Sequence, residues 1–172
     1  MDMSTRKITT IAGTGDIGFS GDGGLAKDAQ LNNPRYAYQD KSTGDIYIVD
    51  FLNHRIRRVR GGIISTVAGK TCTSSDGLGD GGQATGACLK YPTHFTMNEA
   101  GAWLIADRDN HRVRKVELNG IITTIAGGGT ETGDAPATSV KLNSPQSIAL
   151  TPSGTLLVAE NPSKDQLIRK MD

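Results

Sequence analysis

The sequence predicts an all-β fold, a β-propeller with three blade equivalents of four antiparallel strands each. A set of short segments recurs with a period of about 53 to 58 residues, which is typical of repeat architectures. These segments are rich in β-branched and aromatic residues and are bounded by glycine, asparagine, aspartate and proline, as β-strands are. One segment of each repeat is a continuous apolar run, which is expected in sheets covered on both faces, as propeller blades are.

Each repeat contains four predicted strands, which we call a to d from the central channel outwards. Strand a begins at Pro34, Pro92 or Pro145. Strand b is the apolar run at 46–50, 103–107 and 156–160. Strand c is the arginine-rich segment at 53–59, 110–116 and, in a degenerate copy, 167–171. Strand d ends in Thr-[Ile/Val]-Ala-Gly and lies at 8–13, 64–69 and 122–127. A glycine-rich connector joins each strand d to the next strand a, so the strand order is d-abcd-abcd-abc.

The whole chain, 1–172, is predicted to be one propeller unit. Its parts are an orphan outer strand at 1–13, blade 1 at 14–69, blade 2 at 70–127, and blade 3, which lacks its outer strand, at 128–172. Closing the ring within one chain would give three blades, fewer than the usual range of about four to eight. We therefore expect the first strand of one chain to complete the third blade of another, which gives a six-bladed homodimer. The predicted assembly strand consists of Ile8, Thr9, Thr10, Ile11 and Ala12.

The open ends of the repeat array leave two alternatives to this homodimer. The 172 residues can be a part of a longer propeller. Strand exchange can also continue from chain to chain without closing, which produces a filament. In each case the unpaired edge of the last blade invites association with another strand.

The charge balance disfavours nucleic acid and anionic membranes as partners. Nineteen basic and eighteen acidic residues nearly cancel, so no strong overall field attracts a polyanion. No stretch approaches the roughly 18 apolar residues that cross a bilayer. The first six residues lack the apolar segment of a signal peptide.

Strand c concentrates the basic residues of the chain. They are Arg55, Arg57, Arg58, Arg60, Arg112, Arg114, Lys115, Arg169 and Lys170. No aromatic platform accompanies them, whereas aromatic stacking is common where proteins bind single-stranded nucleic acid. We therefore interpret strand c as a solvated strand with salt bridges to neighbouring blades.

The junction of strands b and c has the pattern Asp-x-x-Asn-His-Arg-[Ile/Val]-Arg at 50–57 and 107–114. This pattern resembles the signature of NHL repeats. The Gly-Asp-Gly-Gly connectors and the Thr-[Ile/Val]-Ala-Gly strand resemble the variety found in bacterial NHL proteins and the teneurin propeller. The resemblance implies that one repeat is one four-stranded blade and that six-bladed rings are common. The third copy departs from it, since Glu160-Asn161-Pro162 leads into an insertion and the His-Arg pair is absent.

Two sets of titratable residues at this junction invite comparison with acid–base sites. They are Asp50, His54 and Arg55, and Asp107, His111 and Arg112. Their repetition at equivalent places favours a structural network in which the carboxylate accepts hydrogen bonds from arginine or backbone NH groups. The aspartates of the connectors do not have the spacing of an EF-hand calcium loop, and aspartate and glycine are ordinary turn residues. We predict no metal and no cofactor.

The first turn of strand a faces the predicted channel mouth. NHL repeats, by resemblance, usually have glycine there, whereas this chain has Tyr36, His94 and Ser147. These larger polar side chains are the candidate ligand-binding residues. Six-bladed relatives include lyases and lactonases with metal ligands in this region, but one histidine per chain is too few for a site that needs three or more ligands.

The two cysteines, Cys72 and Cys88, lie in the same connector, and the other two connectors have none. We expect a disulfide, with two independent buried thiols as the alternative. A disulfide implies an oxidising compartment, and therefore an extracellular or secreted protein.

These observations predict a non-catalytic module for self-assembly and for binding a protein, peptide or glycan. A lyase- or lactonase-like NHL enzyme that uses the channel is one alternative, and three converging His, Asp or Glu side chains would support it. An RNA-binding NHL domain is the other, and a continuous basic face would support it.

Overall fold

The strands of the first repeat form one antiparallel sheet. The computed structural model describes residues 7–73, 75–161 and 166–172, so the opening residues 1–6 and the insertion at 162–165 lie outside the described residues. Blade 1 contains β1 (Pro34–Gln39), β2 (Ile46–Asp50), β3 (Arg55–Arg60) and β4 (Ile63–Ala68), paired in chain order.

The second repeat forms an equivalent sheet, and the third forms a sheet of three strands. Blade 2 contains β5 (Pro92–Met97), β6 (Trp103–Asp107), β7 (Arg112–Val116) and β8 (Ile122–Gly127). Blade 3 contains β9 (Pro145–Leu150), β10 (Leu156–Glu160) and β11 (Ile168–Met171). Short 3-10 turns lie at Ala26–Asp28, Phe51–Asn53, Ala84–Gly86 and Arg108–Asn110. The prediction of an all-β fold with blades of four antiparallel strands is confirmed. Among the described residues, no helix is long and apolar enough to span a membrane.

The blades pack face to face through two apolar cores. Tyr47, Val49 and Ile56 of blade 1 share one buried cluster with Phe95 and Ile105 of blade 2. The rings of Tyr47 and Phe95 are stacked with centroids 4.8 Å apart. A second cluster joins blade 2 to blade 3. The apolar strand b is therefore buried on both faces where blades flank it, as its continuous apolar pattern predicted.

The glycine that ends strand d is required by the close approach of two backbones. Gly69 has φ +89°, and a side chain there would collide with the backbone oxygen of His54. Gly127 has φ +84° and meets the oxygen of His111 in the same way. Glycine adopts a positive φ without strain, and because it has no Cβ it also leaves room for the neighbouring backbone.

The connectors cover the outer edge of the complete blades. In blade 1 the NH of Gly23 donates to the oxygen of Ile64, and the NH of Ile64 donates to the oxygen of Gly24. In blade 2 the NH of Gly81 donates to the oxygen of Ile122, and the NH of Ile122 donates to the oxygen of Gly82. This contact satisfies polar groups that would otherwise offer a template for another strand.

The N-terminal segment, residues 7–12, pairs with no strand of the described chain. Ile8 is 96% exposed and Ile11 is 49% exposed. The segment is nevertheless anchored at its end, because the NH of Gly13 donates to the oxygen of Ala26, as the NH of Gly69 does to the oxygen of Ala84. A strand forms only beside a partner, so the outer-strand role of this segment stays a prediction.

Candidate functional site

A buried carboxylate closes the turn between strands b and c in blade 1. Asp50 is fully buried and accepts hydrogen bonds from the backbone NH of Asn32 at 2.7 Å, the amide of Asn53 at 2.8 Å and the guanidinium of Arg57 at 3.3 Å. Its role is to hold the connector, the 3-10 turn and strand c together.

The same arrangement recurs in the other two blades. Asp107 accepts hydrogen bonds from the NH of Lys90 at 2.7 Å, the amide of Asn110 at 2.8 Å and Arg114 at 3.1 Å. Burial raises the pKa of the Asp107 carboxyl, whereas these three hydrogen bonds favour the carboxylate. In blade 3, where the sequence pattern is degenerate, Glu160 takes the same place and accepts from the NH of Asn143 and from Arg169.

The prediction that strand c is solvated is wrong for its central arginines. The side chains of Arg57 and Arg114 are 0% exposed. Each also pairs with a connector aspartate, Arg57 with Asp22 at 2.8 Å and Arg114 with Asp80 at 2.6 Å. A buried guanidinium is tolerated because carboxylates and backbone oxygens satisfy most of its donors. These ion pairs therefore tie each blade to its own connector and not to the neighbouring blade.

The arginines singled out in the sequence, Arg55 and Arg112, contact other groups. Arg55 donates to the backbone oxygen of Asn53 at 2.6 Å and to Thr71 Oγ1 at 3.0 Å, and its guanidinium lies 3.9 Å from the ring centroid of Phe19. Arg112 donates to the backbone oxygen of Asn110 at 2.7 Å. The structure therefore places Arg57 and Arg114, two residues further along, on the buried carboxylates.

The two histidines of the turn link one blade to the next. His54 and His111 follow the 3-10 turns with φ 57° and 56°. His54 Nδ1 accepts a hydrogen bond from the NH of Tyr91 at 3.0 Å, and His111 Nδ1 accepts one from the NH of Ser144 at 3.1 Å. An acceptor nitrogen must be unprotonated, and burial, with the neighbouring Arg55, lowers the pKa of His54. Neither ring contacts its own blade's carboxylate as an acid–base pair would.

Acidification is expected to weaken this link between blades. Because the folded-state pKa of His54 is lower than its ordinary value of 6.5, its contribution to stability is complete above that pH and is lost as the pH falls below it. The loss should amount to about 1 kcal/mol, the value of one hydrogen bond. Thermal unfolding between pH 7.5 and pH 5 measures it. The His54→Ala variant should be less stable at pH 7.5 and lose less on acidification; equal losses in both proteins would contradict the assignment.

The three residues predicted to lie at the channel mouth occupy equivalent register positions on strand a. Tyr36 is opposite Val49, His94 opposite Ala106, and Ser147 opposite Ala159. The structure brings two of them together, with the ring centroids of Tyr36 and His94 4.0 Å apart.

His94 offers a neutral imidazole at this position. Burial lowers the pKa of His94, and its Nδ1 is buried with no hydrogen-bond partner among the described residues. Within those residues, the group of side chains close enough to share a metal ion is Cys72, Asp76 and Cys88, and its two sulfurs are bonded to each other. This position therefore combines the aromatic ring of Tyr36 with an imidazole whose Nδ1 is enclosed.

The predicted disulfide between Cys72 and Cys88 is confirmed. Their sulfur atoms are 2.10 Å apart and their Cα atoms 5.7 Å apart. The bond closes the second connector, and within the same connector Lys70 pairs with Asp76 at 3.3 Å.

A groove that sequence reasoning did not find runs along the open edge of β11. It has a volume of about 1090 Å³. Its apolar wall includes Ala137, Val140, Leu142, Val158 and Met171. Within the described chain no strand pairs with the outer edge of β11, so the side chains whose equivalents β8 covers in blade 2 line this groove.

Known proteins share the fold and part of the sequence. No protein-family model matches the chain. Teneurin-3 of Mus musculus is 30% identical over 154 residues, which cover 76% of this chain and 6% of that protein. The chain is kin to NHL-type β-propellers. A Bacteroides thetaiotaomicron protein of unknown function superposes with a TM-score of 0.72 at 22% identity, over 97% of this chain and 40% of that one.

A second solved structure is more similar to this chain in sequence than the Bacteroides thetaiotaomicron protein is. An auxiliary nutrient binding protein from Bacteroides ovatus superposes with a TM-score of 0.61 at 30% identity. The match covers 78% of this chain and 36% of that one. The NHL-type chain thus spans well under half the length of each of these relatives.

Proposed function

We propose that this chain is a non-catalytic NHL-type propeller module that binds a ligand and assembles with copies of itself. The similarity to a nutrient binding protein supports a binding role. The titratable side chains of the strand b–c turns support a non-catalytic role, because their carboxylates and imidazoles are engaged in hydrogen bonds that hold the blades together. No specific observation favours the alternative of a channel enzyme or of an RNA-binding domain.

The assembly half of the proposal is carried by one observation, the open groove beside β11 in a chain that also has an exposed strand-like segment. Residues 8–13 have the same sequence as residues 122–127, which include β8. Within the described chain β11 has no neighbour on its outer side. We propose that residues 8–12 of one chain pair with β11 of a second chain.

Two chains that exchange this segment reciprocally would form a six-bladed ring. About five backbone hydrogen bonds at about 1 kcal/mol each would hold each exchanged strand. Burying one isoleucine side chain would contribute about 1.5–3 kcal/mol more. If the exchange does not close, the same contact produces a filament.

Light scattering on a size-exclusion column tests the assembly. We expect a mass of twice the 18.2 kDa chain, and a monomer or an aggregate after deletion of residues 1–13. Deletion of residues 1–6 alone is the matched control and should leave the dimer intact. A very large, polydisperse species that depends on residues 7–13 would indicate the filament. A well-folded monomer that the deletion does not change would overturn strand exchange.

The binding half of the proposal places the ligand at the channel mouth, on Tyr36, His94 and Ser147. The ligand classes are a protein, a peptide or a glycan. The disulfide supports an oxidising, extracellular environment. Glycan and peptide arrays, probed in parallel with the wild type and with His94→Ala, test this half, and equal binding by both proteins would contradict the site.

A further inference from the structure

The third blade contains an unfilled apolar socket, and blade 2 shows what fills the equivalent one. Ile122 of β8 is fully buried. It shares a buried cluster with Phe95 of β5 and with five apolar side chains of β6, β7 and the connector, which are the ones compared below. These are Ala84, Ala87, Leu89, Ile105 and Val116.

Each of these five side chains has a counterpart in blade 3. Two counterparts follow from matching backbone hydrogen bonds. Ala137 corresponds to Ala84, because their oxygens accept from the NH groups of Gly127 and Gly69 respectively. Val140 corresponds to Ala87, because their oxygens accept from the NH groups of Gly129 and Lys70 respectively. The other three follow from the repeat and the strand register, with Leu142, Val158 and Met171 in place of Leu89, Ile105 and Val116. All five counterparts line the groove beside β11.

The polar side of the socket is present as well. In blade 2 the carboxylate of Asp80 accepts from Arg114 at 2.6 Å and from the hydroxyl of Thr124 at 2.7 Å. Asp134 is the corresponding connector aspartate of blade 3, and it lines the groove. In blade 1 the equivalent hydroxyl, that of Thr66, has no hydrogen-bond partner among the described residues. The threonine–aspartate bond is thus seen in blade 2 and not in blade 1, although the outer strands of both blades have threonine at this position.

The N-terminal segment has the side chains that this socket lacks. Its sequence, Ile-Thr-Thr-Ile-Ala-Gly, aligns Ile8 with Ile122 and Thr10 with Thr124. Ile8, whose counterpart is fully buried, is 96% exposed. We propose that the groove beside β11 selects an Ile-x-Thr strand from a second copy of the chain, with Ile8 in the apolar socket and Thr10 donating to Asp134. This inference rests on the proposed strand exchange and adds the register and the residues that determine its specificity.

The dissociation constant of the full-length dimer tests the two positions. Because each dimer contains two exchanged strands, each substitution counts twice. A dilution series followed by light scattering should show that Ile8→Ala weakens the dimer by about a thousandfold and Thr10→Val by about 30-fold. Thr9→Val is the matched control and should change nothing, because its counterpart Thr123 makes no side-chain hydrogen bond among the described residues. Asp134→Ala should match Thr10→Val, and combining the two should add no further loss.

A synthetic peptide with the sequence of residues 7–13 provides a second measurement. In excess it should dissociate the wild-type dimer, whereas a scrambled peptide should not. A dimer that depends on residues 1–13 but is insensitive to Ile8→Ala and Thr10→Val would overturn the register and leave the assembly standing. A wild-type chain that is monomeric at every concentration and binds no peptide would overturn both.

Discussion

Replacing Asp107 with alanine is expected to lower the free energy of unfolding by about 3–5 kcal/mol, the cost of breaking a buried ion pair by removing one partner. The side chains of Asp107 and Arg114 are both 0% exposed. Without the carboxylate the guanidinium of Arg114 keeps one charge partner, Asp80, at the rim of the blade. The NH of Lys90 and the amide of Asn110 lose their acceptor as well.

Asp80→Ala is the matched control, because Asp80 pairs with the same arginine from a side chain that is 43% exposed. A partly exposed ion pair contributes about 0–1 kcal/mol, so this variant should lose much less than Asp107→Ala. Urea unfolding of both variants measures the difference. Losses of similar size would show that the connector contact contributes as much to stability as the buried carboxylate.

The strands were predictable because their patterns are local. The apolar run at 46–50 coincides with β2. A strand that is buried on both faces is apolar throughout, so its own sequence is enough to predict it. Strand c, predicted from residue 53, begins only at Arg55 because the preceding residues form a 3-10 turn and His54 is left-handed. The pattern of an arginine-rich strand does not show that turn.

The burial of Arg57 and the groove beside β11 were not predictable from local patterns. Charged residues are usually exposed, and the partners that make burial of Arg57 tolerable, Asp50 and Asp22, lie 7 and 35 residues away. The groove combines side chains from blade 2, the third connector and blade 3. Contacts between such distant segments appear only once the blades are packed.

Removing the disulfide is expected to lower the free energy of unfolding by about 3 kcal/mol, from the entropy of the loop that it closes in the unfolded chain. Cys72 and Cys88 are 16 residues apart. A loss of this size is a large fraction of the about 5–15 kcal/mol that stabilises a typical domain. Urea unfolding of the Cys72→Ser/Cys88→Ala double variant measures it; alanine replaces the buried Cys88 because a buried hydroxyl would add a cost of its own.

The fold itself should survive, because the first connector has no cysteine and docks in the same way. The NH groups of Gly13 and Thr14 donate to Ala26 and Ala29 there, as those of Gly69 and Lys70 donate to Ala84 and Ala87 in the second connector. The variant should therefore keep the circular dichroism spectrum of the wild type. A reducing agent should destabilise the wild type by the same amount and leave the variant unchanged. A reduced wild type as stable as the oxidised protein would mean that the backbone contacts alone already order the second connector.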